Sequence, residues 1–539
     1  MLSLGHPNSP HVIFHDVSVF YLLSSHMVQL EPCAAPGQKR TIVSRLFPNT
    51  DEAISRRAKY LDESIKRDYE VELEREKLSL TEKPQLPSDD ASKPRLDDEI
   101  YEQINGAYAE DEEEKPLHRT LGFFGAFWNM VAFSIALGIL SIPFVVSTIG
   151  IVPFILISLF FAGVTYYIGY SYWRLGMMYP GIHNLQQAGD MLYGPIGGYL
   201  LMTIQTIFGI FVQGNHALLG GIAFYELGWH SCMVILVAVF SIISFVFTLP
   251  RSYKIFSWQA VISFTSIMTV IIIAMISSGV TGPVNQSDHD PPKRVLAFGG
   301  TDQVPHSFFD GMLMVTNVFV SFGATPAYLP VMAEMHTPQD FHRSLVILVV
   351  LSTVLYLIVG CVMDYNLGQY SKSPSLGSLS PMMVKVSYGL ALPTIMVAGN
   401  ASGQVTGKTL LVCIFSGARR RWLKNPYINW GTWVLINIFT WTLAFVLAEV
   451  IPFFSSFLGL ESAVFWCLFL ALAALFWFWR HQHDYLSTWR NRIGFVISIT
   501  LFLVSLYICI AGAWSASVSI RDLYNNGAVG SPFSCSAAY

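Results

Sequence analysis

Asn129-Met-Val-Ala-Phe-Ser-Ile-Ala-Leu-Gly138-Ile-Leu-Ser-Ile-Pro143 and Val320-Ser-Phe-Gly323-Ala-Thr-Pro326-Ala-Tyr-Leu-Pro330 are two apolar stretches interrupted in matching ways. In hydrocarbon an unpaired backbone N–H or C=O costs several kcal/mol, so irregular backbone persists at membrane depth only where it lines a protected cavity. Two such interruptions, in the first and sixth apolar segments, are the pattern left by an inverted repeat of five spans whose broken helices meet at a shared site. Glycine and proline that merely permit close helix packing or a kink are the alternative for either stretch taken singly. The matched pair favours the site.

The rest of the chain agrees with a lipid setting. Of 539 residues, 53% are apolar and 13% charged, and the mean hydropathy is +0.48. About eleven stretches reach the roughly 20 residues that cross hydrocarbon as helix: 122–147, 151–173, 196–222, 231–249, 255–279, 310–332, 344–367, 386–414, 432–452, 457–479 and 493–515. The fold class expected is therefore an all-α integral membrane protein of about 11 transmembrane helices, with helices 1 and 6 broken. Spans one to five and six to ten form the repeats, and span eleven is an addition.

Residues 1–117 differ in composition from the remainder of the chain. Charge crowds between Arg40 and Lys115 and ends in Asp111-Glu-Glu-Glu114, a composition that cannot bury enough apolar surface to offset ordering entropy. A largely disordered cytoplasmic tail is expected there, a transporter domain over 118–515, and a short non-cytoplasmic tail over 516–539. The run Val12 to Leu23 carries His15 and Asp16 and lacks a basic leader, so it reads as neither signal peptide nor span.

Basic residues set the orientation. With the tail inside, the cytoplasmic connections receive Arg174, Arg251, Lys254, Arg343, Arg419, Arg420, Arg421, Lys424, Arg480, Arg490 and Arg492, eleven in all, against five outside: Lys293, Arg294, Lys372, Lys385 and Arg521. Asn285-Gln-Ser287 falls in an outer connection and is a candidate glycan acceptor. A net charge of −4 leaves no basic footprint for nucleic acid. Cys232, Cys361, Cys413, Cys467 and Cys509 lie in or beside apolar spans without CxxC spacing and read as small apolar fillers, with a pairing of Cys535 left open. No metal or other cofactor is expected: His481-Gln-His483-Asp484 sits in a short basic loop without a partner Cys.

The chain resembles the amino acid/auxin permease family over about residues 117–515. The resemblance rests on Gly138-Ile-Leu-Ser-Ile-Pro143, Tyr179-Pro-Gly181, Gly189-Asp190 and Glu334-Met-His-Thr-Pro338-Gln-Asp-Phe341. With its long charged tail and basic Arg419–Lys424 loop, the chain is most similar to that family's fungal neutral amino acid permeases. The resemblance implies the leucine-transporter-like 5+5 arrangement and alternating-access transport, not an enzyme. The expected partners are a neutral L-amino acid, protons and the lipid bilayer. Ala136 stands where the family usually has a second Gly. Ala132 stands where sodium-coupled relatives tend to carry Asn, which favours proton symport. The plasma membrane is favoured over the vacuolar membrane. A vacuolar exporter of the same fold and a non-transporting amino acid sensor remain the alternatives.

The residues support a zwitterion site. If the first helix unwinds around Ala136, Leu137 and Gly138, the half-helix starting at Ile139 presents unpaired N–H groups and a positive dipole end to a carboxylate, with Ser134 beside it. Gly138 lets the ligand come close. Carbonyls near Ser321, Phe322 and Gly323, with the Thr325 hydroxyl, suit an α-ammonium, and Phe133, Phe322 and Tyr328 suit an apolar side chain. Ion-coupling or gate candidates are Asn129, Glu334 and Lys408. Glu334 reads equally as a gate paired with Arg343 or another cytoplasmic base and as a simple helix-end charge. Lys408 reads as a buried cation facing the first span or, preferred, as a snorkelling side chain. Asp364 and Glu449 read as interfacial, and the polar stripe Gln205, Gln213, Asn215, His216 as helix-to-helix hydrogen bonding.

Overall fold

Fourteen helices account for nearly all of the structure, a computed structural model that describes residues 121–136, 138–251, 253–284, 286, 294–299, 307–415, 425–481, 486–527 and 532–535. The tail over 1–117, Leu137, Asn285 and the basic loop Arg419–Lys424 lie outside the described residues. The first span is split into α1 (Phe123–Ser134) and α2 (Gly138–Ile149), bent by 47°. It is followed by α3 (Ile151–Met178), α4 (Leu185–Glu226), α5 (Met233–Thr248) and α6 (Tyr253–Thr281). The sixth span comprises α7 (Phe308–Ser321) and α8 (Thr325–Ala333). Then come α9 (Phe341–Leu367), α10 (Pro381–Ile414), α11 (Pro426–Val450), α12 (Phe454–Glu461), α13 (Cys467–Arg480) and α14 (Trp489–Asn525).

Length and apolarity qualify nine helical stretches among the described residues as membrane-crossing, ten with the bent α1/α2 pair, and α5 is a shorter apolar helix of the same kind. The protein is an all-α membrane protein, with interruptions in its first and sixth spans. The two interruptions differ: the first changes direction, whereas the sixth runs as one 26-residue span, Phe308–Ala333, across its unwound turn.

Local chemistry explains where helices begin. Ser307 and Asp310 exchange capping hydrogen bonds at the start of α7 (3.2 and 3.0 Å). The Asn184 side chain accepts from Gln187 N at 2.9 Å to start α4. Inside α4, Gly194 adopts φ 75° ahead of Pro195, so a short leading helix turns into the third span near where the hydropathy pattern begins.

Packing ranks the spans. In the sixth, 89% of the most apolar window is buried, against 22% in α14, so the broken span is central and the eleventh peripheral. Large apolar side chains such as Ile196 (84%), Val280 (82%) and Leu435 (66%) are exposed around the outside, as a bilayer-facing surface requires. On α10, Gly399, Gly403 and Gly407 are spaced four apart: the first two bring α10 close to α4, a Cβ at Gly403 coming within 2.6 Å of the Gln213 amide, and the third brings it close to α11, a Cβ at Gly407 coming within 2.8 Å of Trp433. Sequence patterning did not single out this small-residue stripe.

Cys232 and Cys535 form a disulfide across 303 residues of sequence, tying the α4–α5 connection to the C-terminal segment. Cys232 is thus not an apolar filler, and Cys535 is paired. The expectation failed because no spacing rule connects two cysteines so distant in sequence.

Candidate transport site

The two interruptions touch. A Cβ added to Gly138 would lie 2.4 Å from Ser321 Cα, so the absence of a side chain lets α2 pack directly on the end of α7. Ser134 Oγ lies 3.4 Å from the Ser321 carbonyl oxygen and 3.4 Å from Ser352 Oγ of α9. The Tyr356 hydroxyl, also on α9, is 2.9 Å from the Ser134 carbonyl oxygen and hydrogen-bonds the Ser321 carbonyl as well. One hydroxyl from a third helix is therefore shared between a carbonyl of each unwound turn. The Phe322 ring meets Tyr356 edge-on at 5.1 Å between centroids. Within the sixth interruption Gly323 N donates to Val320 O (3.0 Å) and Ala324 N to Phe322 O (3.1 Å).

Beside this junction lies a cavity with about 40 Å³ of space for the centres of water molecules, enough for a few waters. Phe133, Ser134, Ala136 and Gly138 line it from the first span, and Val320, Gly323 and Pro326 from the sixth. Phe208, Val212 and His216 come from α4, Ala398 and Ser402 from α10, and Leu458, Glu461 and Trp466 from the tenth span. The tenth span passes from α12 into α13 through a π-helical stretch, Ser462–Trp466.

Of the residues read from sequence as substrate-binding, Ser134, Ala136, Gly138 and Gly323 line this cavity. Leu137 lies outside the described residues. Ile139, Ser321, Phe322 and Thr325 are buried beside it, at 1%, 0%, 2% and 2% exposure, without lining it. Phe133 contributes apolar lining, whereas Tyr328 packs against Phe341 at 5.7 Å. Asn129 joins α1 to α6, its Nδ2 donating to Ser257 Oγ and Gly125 O, each at 2.7 Å.

Lys408 and Glu334 meet. Lys408 Nζ lies 3.2 Å from Glu334 Oε1, with the residues 3% and 7% exposed. The snorkelling reading of Lys408 gives way: its ammonium is buried against the Glu334 carboxylate at the end of α8. Arg343 instead pairs with Asp340 at 3.1 Å. Close to this pair, Leu121 N donates to Glu334 O and His336 N to Leu121 O, both at 2.9 Å, fastening the chain entering α1 to the end of α8. Asp364 and Glu449 lie close to the ends of α9 and α11 and are buried, at 1% and 6% exposure. His481 Nδ1 is 3.0 Å from the Trp477 carbonyl oxygen, while His483 and Asp484 lie outside the described residues.

Sequence reasoning missed Glu461, 3% exposed, whose Oε2 accepts from Asn215 Nδ2 at 2.7 Å. A carboxylate within the apolar run 457–479 was the available signal. It also missed Tyr356, for which a tyrosine in an apolar helix offers no signal.

A family model described as Transmembrane amino acid transporter protein matches residues 119–518. The chain belongs to that family. The transporter is 28% identical over 418 residues to the "N amino acid transport system protein" of Neurospora crassa, covering 75% of this chain and 86% of the relative. It is 24% identical over 452 residues to a "Transmembrane transporter" of Fusarium pseudograminearum, covering 84% and 92%. Among solved structures, a Na⁺-coupled sialic acid symporter in a substrate-bound outward-open state is similar with a TM-score of 0.49 and 11% identity, over 81% of this transporter and 97% of that chain.

Proposed function

We propose that the transporter carries neutral amino acids together with protons by alternating access, as a plasma-membrane uptake system with a cytoplasmic N-terminus. The observation that carries this reading is the cavity between two interrupted spans, where Gly138 and Gly323 expose backbone and Phe133, Phe208 and Trp466 supply apolar wall. The first N–H groups of α2 lack helical partners and suit a carboxylate. An apolar wall suits an uncharged side chain. The Neurospora relative's name agrees with an amino acid as cargo. Ala132 in place of the asparagine found in sodium-coupled relatives supports protons as the coupling ion.

The disulfide supports the orientation. Cys232 and Cys535 share one face, and disulfides persist on the non-cytosolic side of a membrane. That face is the outer one when the N-terminal tail is cytoplasmic, and the Glu334–Lys408 pair then belongs to the inner half, as a closed inner gate.

Reconstitution into proteoliposomes tests the function. Labelled leucine is expected to accumulate when the outside is acidified, without sodium, and to be displaced by other neutral amino acids but not by lysine or aspartate. Uptake that needs sodium and ignores pH would overturn the coupling. Saturable binding without flux would overturn transport.

A further inference from the structure

Of the side chains lining the cavity, Glu461 and His216 are the ionisable ones. Glu461 is held by the amide of Asn215 rather than by a cation. A buried carboxylate with only a neutral partner carries a large desolvation cost unless it takes up a positive charge. His216 Nδ1 lies 2.7 Å from the Val212 carbonyl oxygen, which can only accept, so Nδ1 carries the hydrogen and Nε2 is the basic nitrogen. That Nε2 is buried without a hydrogen-bond partner among the described residues. The π-helical stretch immediately follows Glu461, and such stretches place residues off the α-helical register at functional sites. In an α-helix Glu461 and Trp466 would point about 140° apart; here both line the cavity.

Among the described residues, the surroundings supply no fixed cation. On α7, no ionisable residue occurs between Gly311 and Ser321, and on α14 none between Ile510 and Ile520. The π stretch Ser462–Trp466 has none, and neither do the cavity-lining positions of α1, α2 and α8. The α10 helix contributes Ala398 and Ser402 to the lining, and its Lys408 is paired with Glu334. From α4, His216 is the titratable group that faces the cavity with Glu461.

We propose that the Glu461 side chain is the proton carrier of the transport cycle, positioned by Asn215. This rests on the proton-coupled reading above and assigns it to one atom group. One proton joins the carboxylate from the side to which the cavity is open, and the same proton leaves to the other side after the spans rearrange. No other bond forms or breaks.

The test uses proteoliposomes with the potential clamped by valinomycin and equal potassium. For one proton per substrate, a gradient of about one pH unit supports about tenfold accumulation. Glu461→Gln is expected to abolish that accumulation and to flatten the pH dependence of substrate exchange, and Glu461→Asp to recover part of both. Asn215→Ala is expected to displace the midpoint of the pH profile by about one unit, a readout independent of any folding defect in the glutamine variant. Glu461→Gln that still accumulates substrate, or that raises KM with coupling intact as loss of an ammonium counter-ion would, overturns the proposal, as does an unmoved profile in Asn215→Ala. Wild-type transport indifferent to the proton gradient would instead overturn the parent reading.

Discussion

Lys408 places its ammonium 3.2 Å from the Glu334 carboxylate, joining α10 to the end of α8 in a site almost closed to solvent. Breaking such a pair strands a buried charge, at a cost of about 3–5 kcal/mol, whereas replacing both members with apolar groups is often neutral. Lys408→Met and Glu334→Met are each expected to melt well below wild type in detergent, and the double variant to recover most of the loss. Thermal unfolding of the four proteins checks this; a double variant as unstable as the sum of its parents would show that the pair is not coupled.

Tyr356 carries the link between the interruptions. Tyr356→Phe keeps the ring against Phe322 and removes the hydroxyl from the Ser134 and Ser321 carbonyls. Leaving buried acceptors without a donor costs about 1–3 kcal/mol. A lower melting temperature and a raised KM for uptake are expected. Wild-type values for both would mean that the two carbonyls find another donor.

Gly138 sits too close to Ser321 for any side chain, since even one carbon would approach Ser321 Cα to 2.4 Å. Gly138→Ala is expected to lose transport and to be destabilised by about 1–3 kcal/mol, the range for overpacking a filled site. Uptake at the wild-type rate would indicate that the two turns need not stay in contact during the cycle.

The Cys232–Cys535 bond offers a sidedness test. In intact cells a membrane-impermeant maleimide is expected to label these two positions only after mild reduction. Loss of a disulfide closing a long loop typically costs about 2–5 kcal/mol. Cys535→Ser should therefore lower the melting temperature, whereas labelling of Cys232 without reduction would argue that the bond does not form.

Much of the architecture was legible from residues alone. The eleven apolar stretches appear as helices because hydropathy and length are local properties that lipid reads directly. Gly138 and Gly323 marked the interruptions because helix breakers at membrane depth need a protected setting. The Ala398, Phe208 and Glu461 walls of the cavity were not legible, because they arrive from helices distant in sequence. Lys408 shows the same limit. Its depth was readable, but its counter-ion lies 74 residues away, and without that partner snorkelling was the sounder inference.

The amino-acid sequence by itself determined that this chain lives in a bilayer, which stretches are apolar enough to form its helices, and where two of them are interrupted. These depend on the transfer free energy of short segments, which each segment carries with it. Only the tertiary structure decided that Tyr356 joins the unwound turns, that Asn215 holds Glu461 at the cavity, and that Cys535 reaches Cys232. Each of those is a contact over a few ångströms between residues far apart along the chain, set by how helices pack rather than by what any one helix is made of.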